Sequence, residues 1–176
     1  MRKVSLFIAV SLDGYIADVD GKVDWLEGQE STGAESESYD NFIKDIDTVI
    51  MGWNTYNQII TELSPDEWVY SGLNTYVITH KEMESGDEVL FTDKNPVELI
   101  KKLKSETGKG IWICGGASIA QALIRENLID RYHITVIPTL LGMGIRLFDQ
   151  GKNEIKLRLV ETHSCNGMVD LIYIRR

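Results

Sequence analysis

At two places, strand-like apolar sequence runs into glycine and then into residues that open a helix: VIMGWNTY (49–56) and IWICGGASIAQALI (111–124). A strand that stops at glycine and turns at once into a helix N-terminus offers unpaired backbone N–H groups to an anion, a common way to hold phosphate. Gly52 is followed by Trp53, Asn54 and Thr55, although a cation beside the glycine would be usual. Gly115-Gly116 is followed by Ala117, Ser118 and Ile119. Either turn alone could be a tight bend that binds nothing. Together in one α/β sheet they can bracket a long diphosphate ligand, because such sheets bind where strands end and helices begin.

Other chemistries find less support. The sequence has no G-x-S-x-G, no Walker lysine and no G-x-G-x-x-G, so neither a nucleophilic hydrolase nor a Rossmann site is expected. His80, His133 and His163 share no short ligand spacing, and a zinc site needs three or four converging ligands. DVDGKVDWLE (18–27) has Asp18, Asp20, Gly21 and Glu27 at calcium-loop offsets, but the first ligand position is Ile16. A solvated acidic loop is expected there, and no metal.

The elements that would position the two turns can be read from periodicity. VSLFIAVS (4–11) is apolar on both faces, as a central strand should be. The segment 14–33, rich in Gly and Asp, reads as a long functional loop. Tyr39, Phe42, Ile43 and Ile46 have helical spacing, and TVIM (48–51) is a buried strand. Asn54 is expected to cap a helix with inner face Tyr56, Ile59, Ile60 and Leu63, ending before Pro65. Strands follow at 74–79 and 88–91. Asn95-Pro96-Val97-Glu98 is a helix start with Asn at the cap and Pro at the first position. Strand 110–114, the helix after Gly116, strand 133–138, and strands 157–164 and 168–174 around Asn166-Gly167 complete the chain. This order predicts an α/β fold in a single domain spanning 1–176, with a mostly parallel sheet and an antiparallel edge.

Composition sets outer limits. The 176 residues are 43% apolar and 26% charged, ordinary for a globular protein. A net charge of −9 argues against nucleic acid or an anionic membrane as partner, and requires any phosphate site to be built from local N–H groups and a few placed cations. MRKVSLFIAVSLDG lacks the apolar core of a signal peptide, no segment has the length of a membrane span, and Cys114 and Cys165 read as reduced. A cytoplasmic location is expected.

SLFIAVSLDGYIA, VDWL, DTVIMGWNTY, YVITHK, IWICGGASIAQALI, LIDRYHITVIPTLLGMGIRLF and LRLVETHSCNGMVDLIYIRR occur in an order that resembles the dihydrofolate reductase superfamily. The nearer branch holds the reductase domain of riboflavin biosynthesis and its small relatives. The resemblance covers nearly the whole chain. It implies a three-layer fold, with helices on both faces of the sheet, and hydride transfer from NADPH to a C=N or C=O group of a small molecule. It puts nicotinamide against Ala9 and Ile16, and pyrophosphate and ribose on Gly52, Trp53, Asn54 and Thr55. The adenosine 2′-phosphate falls by Thr79, His80 and Lys81, and the second side of the diphosphate on Gly115, Gly116, Ala117, Ser118 and Ile119. The resemblance also implies a cis bond between Gly115 and Gly116. Phe7, Trp25, Phe42 and Thr135 align with the substrate pocket. Many relatives carry arginine where this chain has Trp53, so NADPH selection would rest mainly on Lys81.

The proton donor departs from the family. Where dihydrofolate reductases place an acid on the helix before the second strand, the nearest match here is Ser38; Asp40 and Glu37 are neighbours, and Asp24 beside Trp25 can reach in from the loop. Asp24 and Asp40 are therefore the candidate catalytic acids. A pterin needs a placed carboxylate, so the leading substrate is the pyrimidine-type riboflavin precursor, an open-chain sugar carbonyl bearing phosphate, with Arg146 and Lys152 as candidate cations. Dihydrofolate is the alternative substrate, and a non-catalytic nucleotide-binding protein the alternative class. Relatives pair, and the apolar run HITVIPTLLGMGIRLF (133–148) suggests a homodimer.

Overall fold

The structure, a computed structural model, describes residues 1–30, 38–149 and 154–176. Strand β1 (Val4–Ser11) lies inside an eight-stranded sheet because its side chains are apolar to both faces. It pairs in parallel with β6 (Gly110–Ile113) and β7 (Arg131–Ile137). Beyond β6 lie β3 (Ile46–Gly52), β4 (Asn74–Ile78) and β5 (Val89–Thr92), all parallel. Beyond β7 lie β10 (Met168–Arg175) and the edge strand β9 (Leu157–Cys165), both antiparallel to their neighbours. The order is β5-β4-β3-β6-β1-β7-β10-β9. A second sheet pairs β2 (Tyr15–Ala17) with β8 (Ile145–Arg146).

Helices cover both faces, and the alternation of side chains along the strands decides which. Val4, Leu6, Val10 and Ile50 point to one face, where α3 (Pro96–Ser105) and α4 (Ala117–Arg125) bury Leu99, Ile100, Leu103, Ile119, Ala120 and Leu123. Val49, Met51, Val77 and Trp112 point to the other, beneath α1 (Ser38–Ile43) and α2 (Trp53–Gln58). There Phe7, Phe42, Trp53 and Tyr56 pack against them, with Ile59 from a wider π turn, Ile59–Leu63, that continues α2. Asn95 caps α3 as its sequence predicts, accepting from Val97 N at 2.9 Å ahead of Pro96. Asn166 and Gly167 both adopt positive φ, 50° and 77°, which gives the tight turn of the β9–β10 hairpin the twist its strands need.

Three local expectations are corrected. Asn54 is not the cap of α2: Gly52 is, with extended backbone and no side-chain cap, so the helix begins two residues earlier, at Trp53. Ile46 belongs to β3 rather than α1, since one apolar residue at a helical interval also fits a strand. The loop after β1 contains β2, held by β8 and by the Leu147 N–H donating to Gly14 O at 3.1 Å.

Candidate active site

The crossovers define where a ligand can lie. From β3 the chain leaves through α2 toward β4; from β6 it leaves through α4 in the opposite direction toward β7. The sheet therefore changes winding direction between the neighbouring strands β3 and β6, and the crevice outside their carboxyl ends is where open α/β sheets bind ligands. Gly52 and Gly115-Gly116 stand at this crevice and touch. A Cβ on Gly116 would lie 3.6 Å from Gly52 N, and one on Gly115 would lie 2.8 Å from Thr55 Oγ1. Ile119 is buried beneath both turns, its Cδ1 3.5 Å from where a Cβ of Gly52 or Gly116 would be. It is a prop for the backbone, whereas Ser118 and Asn54 are exposed.

The Gly115–Gly116 bond is trans, which corrects the cis bond the resemblance implies. Gly116 makes the turn instead through a positive φ of 93°, a conformation that favours glycine, and caps α4 with its carbonyl accepting from Ile119 and Ala120 N–H at 3.1 Å. The first N–H groups of α4 have no partner within the helix, as at any helix start.

The third wall comes from the end of β4. Thr79 is buried, and its Oγ1 accepts from Lys81 N at 3.1 Å, fixing the turn through exposed His80. Lys81 Nζ lies 4.0 Å from the centre of a Trp53 ring, within cation–π range. The tryptophan in the arginine position thus brings a cation to the turn at one remove. Just before the glycines, burial pushes the Cys114 thiol up to about 11 and so disfavours its thiolate, although Tyr70, with its hydroxyl 3.4 Å from the sulfur, acts in the opposite direction. Both cysteines are free thiols.

On the α1 face, strand register assembles the other half of the site. Phe7 is opposite His133, Ala9 opposite Thr135, and Thr135 opposite Asp170. The Phe7 and His133 rings stack at 3.9 Å and 7°, and Phe42 packs edge-on against Phe7 at 4.7 Å. Thr135 Oγ1 donates to Asp170 Oδ1 at 2.5 Å. Ser38 Oγ lies 3.0 Å from His133 Nε2, and Asp170 Oδ1 lies 3.6 Å from the same nitrogen, an electrostatic contact too long for a hydrogen bond. Burial pushes the Asp170 carboxyl up, but His133, Thr135 and Ser38 outweigh it and hold the acid at about 2. Asp170 is an anion at neutral pH, 5% exposed, in the interior of the protein.

Asp24 and Asp40 are both exposed, and Glu37 lies outside the described residues. Trp25 is on the loop, where its indole N–H donates to Lys22 O at 3.3 Å. Ile16 is half-buried in β2 against the α3–α4 core. Asp18 accepts from Asp20 N and Lys22 N, both at 2.8 Å, so it folds its own loop. No group of three or more His, Cys, Asp or Glu suited to a metal occurs among the described residues. Arg146 donates to Tyr15 Oη at 2.9 Å and stacks on that ring, and Lys152 lies outside the described residues.

Sharing Ser38, Phe42 and His133 with this half of the site, a cleft of about 930 Å³ opens toward the amino ends of β1, β6 and β7, lined also by Lys3, Arg131 and His163 among others. Arg131 Nε is buried there without a partner among the described residues.

Residues 2–171 match the family model described as the RibD C-terminal domain. The chain belongs to this family. Bacillus subtilis YwjB is 41% identical over 177 residues, a match covering 99% of this chain and 98% of that one. A solved structure from Shewanella sp. PV-4, of a protein named for riboflavin biosynthesis, superposes with a TM-score of 0.83 at 28% identity, covering 99% of each chain. The Thermotoga maritima diaminohydroxyphosphoribosylaminopyrimidine deaminase/5-amino-6-(5-phosphoribosylamino)uracil reductase superposes with a TM-score of 0.69 at 15% identity. That match covers 99% of this chain and 57% of the Thermotoga one.

In this RibD C-terminal domain, sequence reasoning missed His133, Asp170 and Arg131. His133 and Asp170 lie on strands that look ordinary in isolation, and only the β7–β10 register brings them to one place. A buried acid inside the apolar run MVDLIYI was the available signal.

Proposed function

We propose that this RibD C-terminal domain protein is an NADPH-dependent reductase. The observation that carries the reading is the contact of two glycine turns at the one place where β3 and β6 send their chains in opposite directions. A cradle in which side chains at Gly115 or Gly116 would meet Thr55 or the Gly52 backbone suits a diphosphate held by main-chain N–H groups. Gly52, Asn54, Thr55, Gly115, Gly116, Ala117 and Ser118 would hold the diphosphate and its ribose. Trp53 would face the adenosine and Lys81 its 2′-phosphate. Ala9 and Ile16 would flank the nicotinamide. When bound, that cofactor supplies the hydride; the chain orients it, excludes water and provides the proton.

The substrate we favour is a phosphoribosylamino-pyrimidine of the kind named for the Thermotoga relative. Phe7, Phe42 and Thr135 would line its pocket. Dihydrofolate is disfavoured, because Asp170 is already bound by three side chains and Asp24 and Asp40 are exposed. We further propose a cytoplasmic homodimer. The two free cysteines suit a reducing compartment, and Leu140, Met143, Ile145 and Phe148 are all at least 42% exposed along the 133–148 run. A monomer mass by light scattering at micromolar concentration would refute the dimer.

The test of the enzyme is loss of dihydronicotinamide absorbance when NADPH meets a synthetic open-chain ribosylamino-pyrimidine phosphate, with dihydrofolate in parallel. Turnover of the first alone is the expected result. Tight NADPH binding without turnover across a panel of reducible heterocycles would instead support a nucleotide-binding protein.

A further inference from the structure

Reduction of a C=N or C=O group needs a proton at the heteroatom as well as a hydride at carbon. The following inference rests on the reductase reading above. Asp24 and Asp40 are exposed, and Ser38 stands nearest to where the resemblance implies an acid. A serine hydroxyl can give up its proton at neutral pH only if another group replaces it in the same step. Such a group is in place. His133 Nε2 is 3.0 Å from Ser38 Oγ, and the Asp170 carboxylate is 3.6 Å from that nitrogen. His133 is 2% exposed and Asp170 5%, so little water competes for the contact. Stacking on Phe7 fixes the ring, and the Thr135 hydroxyl fixes the carboxylate by donating to the same oxygen, Oδ1, that faces Nε2. This is not a hydrolase triad. In a triad the imidazole stands between serine and acid, one on each nitrogen, whereas here both face Nε2.

We propose that Ser38 donates the proton of the reaction and that His133, held by Asp170, reloads it. As the new C–H bond forms, the π pair of the C=N or C=O bond moves to nitrogen or oxygen. That atom takes the Ser38 hydroxyl proton. The Ser38 O–H bond breaks as Oγ takes the Nε2 proton of the imidazolium, leaving neutral imidazole. Water from the cleft that His133 lines returns a proton to the ring. The relay moves protons only; both electrons come with the hydride of the dihydronicotinamide. Among the described residues, the charged groups lining this cleft are Arg2 and Lys3 just ahead of β1, Asp45 ahead of β3, Lys109 ahead of β6, Asp130 and Arg131 where β7 begins, Arg175 on β10, and the Glu161–His163 pair on β9, whose His163 is opposite Asp170. Ser38 would be a catalytic residue, and His133 and Asp170 positioning residues that act through it.

The test uses Ser38→Ala, Ser38→Asp, His133→Asn and Asp170→Asn in the full chain. NADPH affinity by fluorescence, kcat and KM across pH, and histidine-ring NMR signals of the ligand-free protein are measured for each. Ser38→Ala and His133→Asn are expected to lower kcat about 10²- to 10⁴-fold, the usual contribution of a positioned acid. NADPH affinity should stay within about two-fold, and the alkaline fall of kcat should disappear. Asp170→Asn should move the His133 ring signals without any ligand present. Ser38→Asp should restore turnover to His133→Asn, because a direct acid needs no reloading group. His133→Asn removes the ring that Phe7 stacks on; Ser38→Ala, at a half-exposed helix end, keeps the test independent of folding. Wild-type kcat and pH profile in Ser38→Ala, or His133 signals indifferent to Asp170→Asn, would overturn the relay alone. Failure of the wild type to bind or oxidise NADPH would overturn the reductase reading and the relay with it.

Discussion

Replacing Lys81 with alanine tests whether this cation would give the proposed cofactor site a preference for NADPH over NADH. Lys81 is exposed, and its ammonium sits 4.0 Å from the centre of a Trp53 ring. One charge-assisted contact to a 2′-phosphate is worth about 1.5–3 kcal/mol. Leaving the aromatic face to make it gives back about 0.5–1 kcal/mol, the value of an exposed cation–π contact. The difference, about 1–2 kcal/mol, corresponds to a roughly 5- to 30-fold preference for NADPH. Lys81→Ala should therefore weaken NADPH by about that factor while leaving NADH nearly unchanged. Trp53→Ala removes a surface that adenine can stack on as well as the platform for Lys81. Both cofactors should weaken, with the ratio between them changing by no more than about five-fold. Calorimetric titration with each dinucleotide at low and high salt gives the four constants needed. In the wild type the NADPH advantage should shrink as salt rises, because an exposed charge contact is screened. Equal losses for NADPH and NADH in Lys81→Ala would show that the 2′-phosphate is read elsewhere or not at all.

Other perturbations test the frame around the site. Gly115→Ala should destabilise by about 1–3 kcal/mol in urea unfolding, because its Cβ would lie 2.8 Å from Thr55 Oγ1 and 2.9 Å from Cγ2; Thr55→Ala, which removes both atoms, should recover most of the loss. Asp130→Ala should cost about 3–5 kcal/mol, since Lys104, 8% exposed and 2.6 Å from that carboxylate, would be left charged and unpaired. Lys104→Met in that background should recover part of it. The Asp170 carboxyl is lowered from an ordinary 3.8 to about 2, so its contribution is complete above about pH 4 and is lost as pH falls toward 2. Asp170→Asn should flatten the fall of the melting temperature across that window; an unchanged acid slope would refute the assignment.

How much was legible depended on whether the signal was local. The cap Asn95-Pro96 and the turn Asn166-Gly167 act within a few residues, and both form as their chemistry dictates. The two glycine turns were legible as turns, and their meeting followed from treating them as parts of one sheet. The strand pair Tyr15–Ala17 and Ile145–Arg146 was not legible, because its strands are two or three residues long and about 130 apart. Asp170 was overlooked for a related reason. In MVDLIYI it looks like the outward residue of an edge hairpin, yet β9 takes the edge and β10 lies inside it. The hydroxyls and the buried imidazole that accommodate the acid come from β7 and α1, and no spacing rule connects those segments.

The placement of acidic residues adds an argument for an anion in the crevice. Helix N-termini favour acidic side chains, since a carboxylate in the first turn offsets the positive end of the helix dipole. This chain has acids to place, with 27 Asp and Glu against 18 Lys and Arg. It uses them at two of its helices: Asp40 lies in the first turn of α1 and Glu98 in the first turn of α3. The first turns of α2 and α4 have none, and neither helix has a side-chain cap. These are the helices that follow Gly52 and Gly116, at the crevice between β3 and β6. Two helix starts in a chain of net charge −9 thus forgo an acid, worth about 0.3–1 kcal/mol, and a polar cap, which glycine replaces at a cost of about a few tenths of a kcal/mol. A ligand whose phosphates bring the negative charge accounts for both omissions, since a resident carboxylate there would repel it. Introducing that carboxylate should reverse the economy: Ser118→Asp, on an exposed position in the first turn of α4, should raise the melting temperature of the ligand-free protein and weaken NADPH and NADH alike. A variant that gained stability and kept full affinity for both would place the diphosphate away from α4.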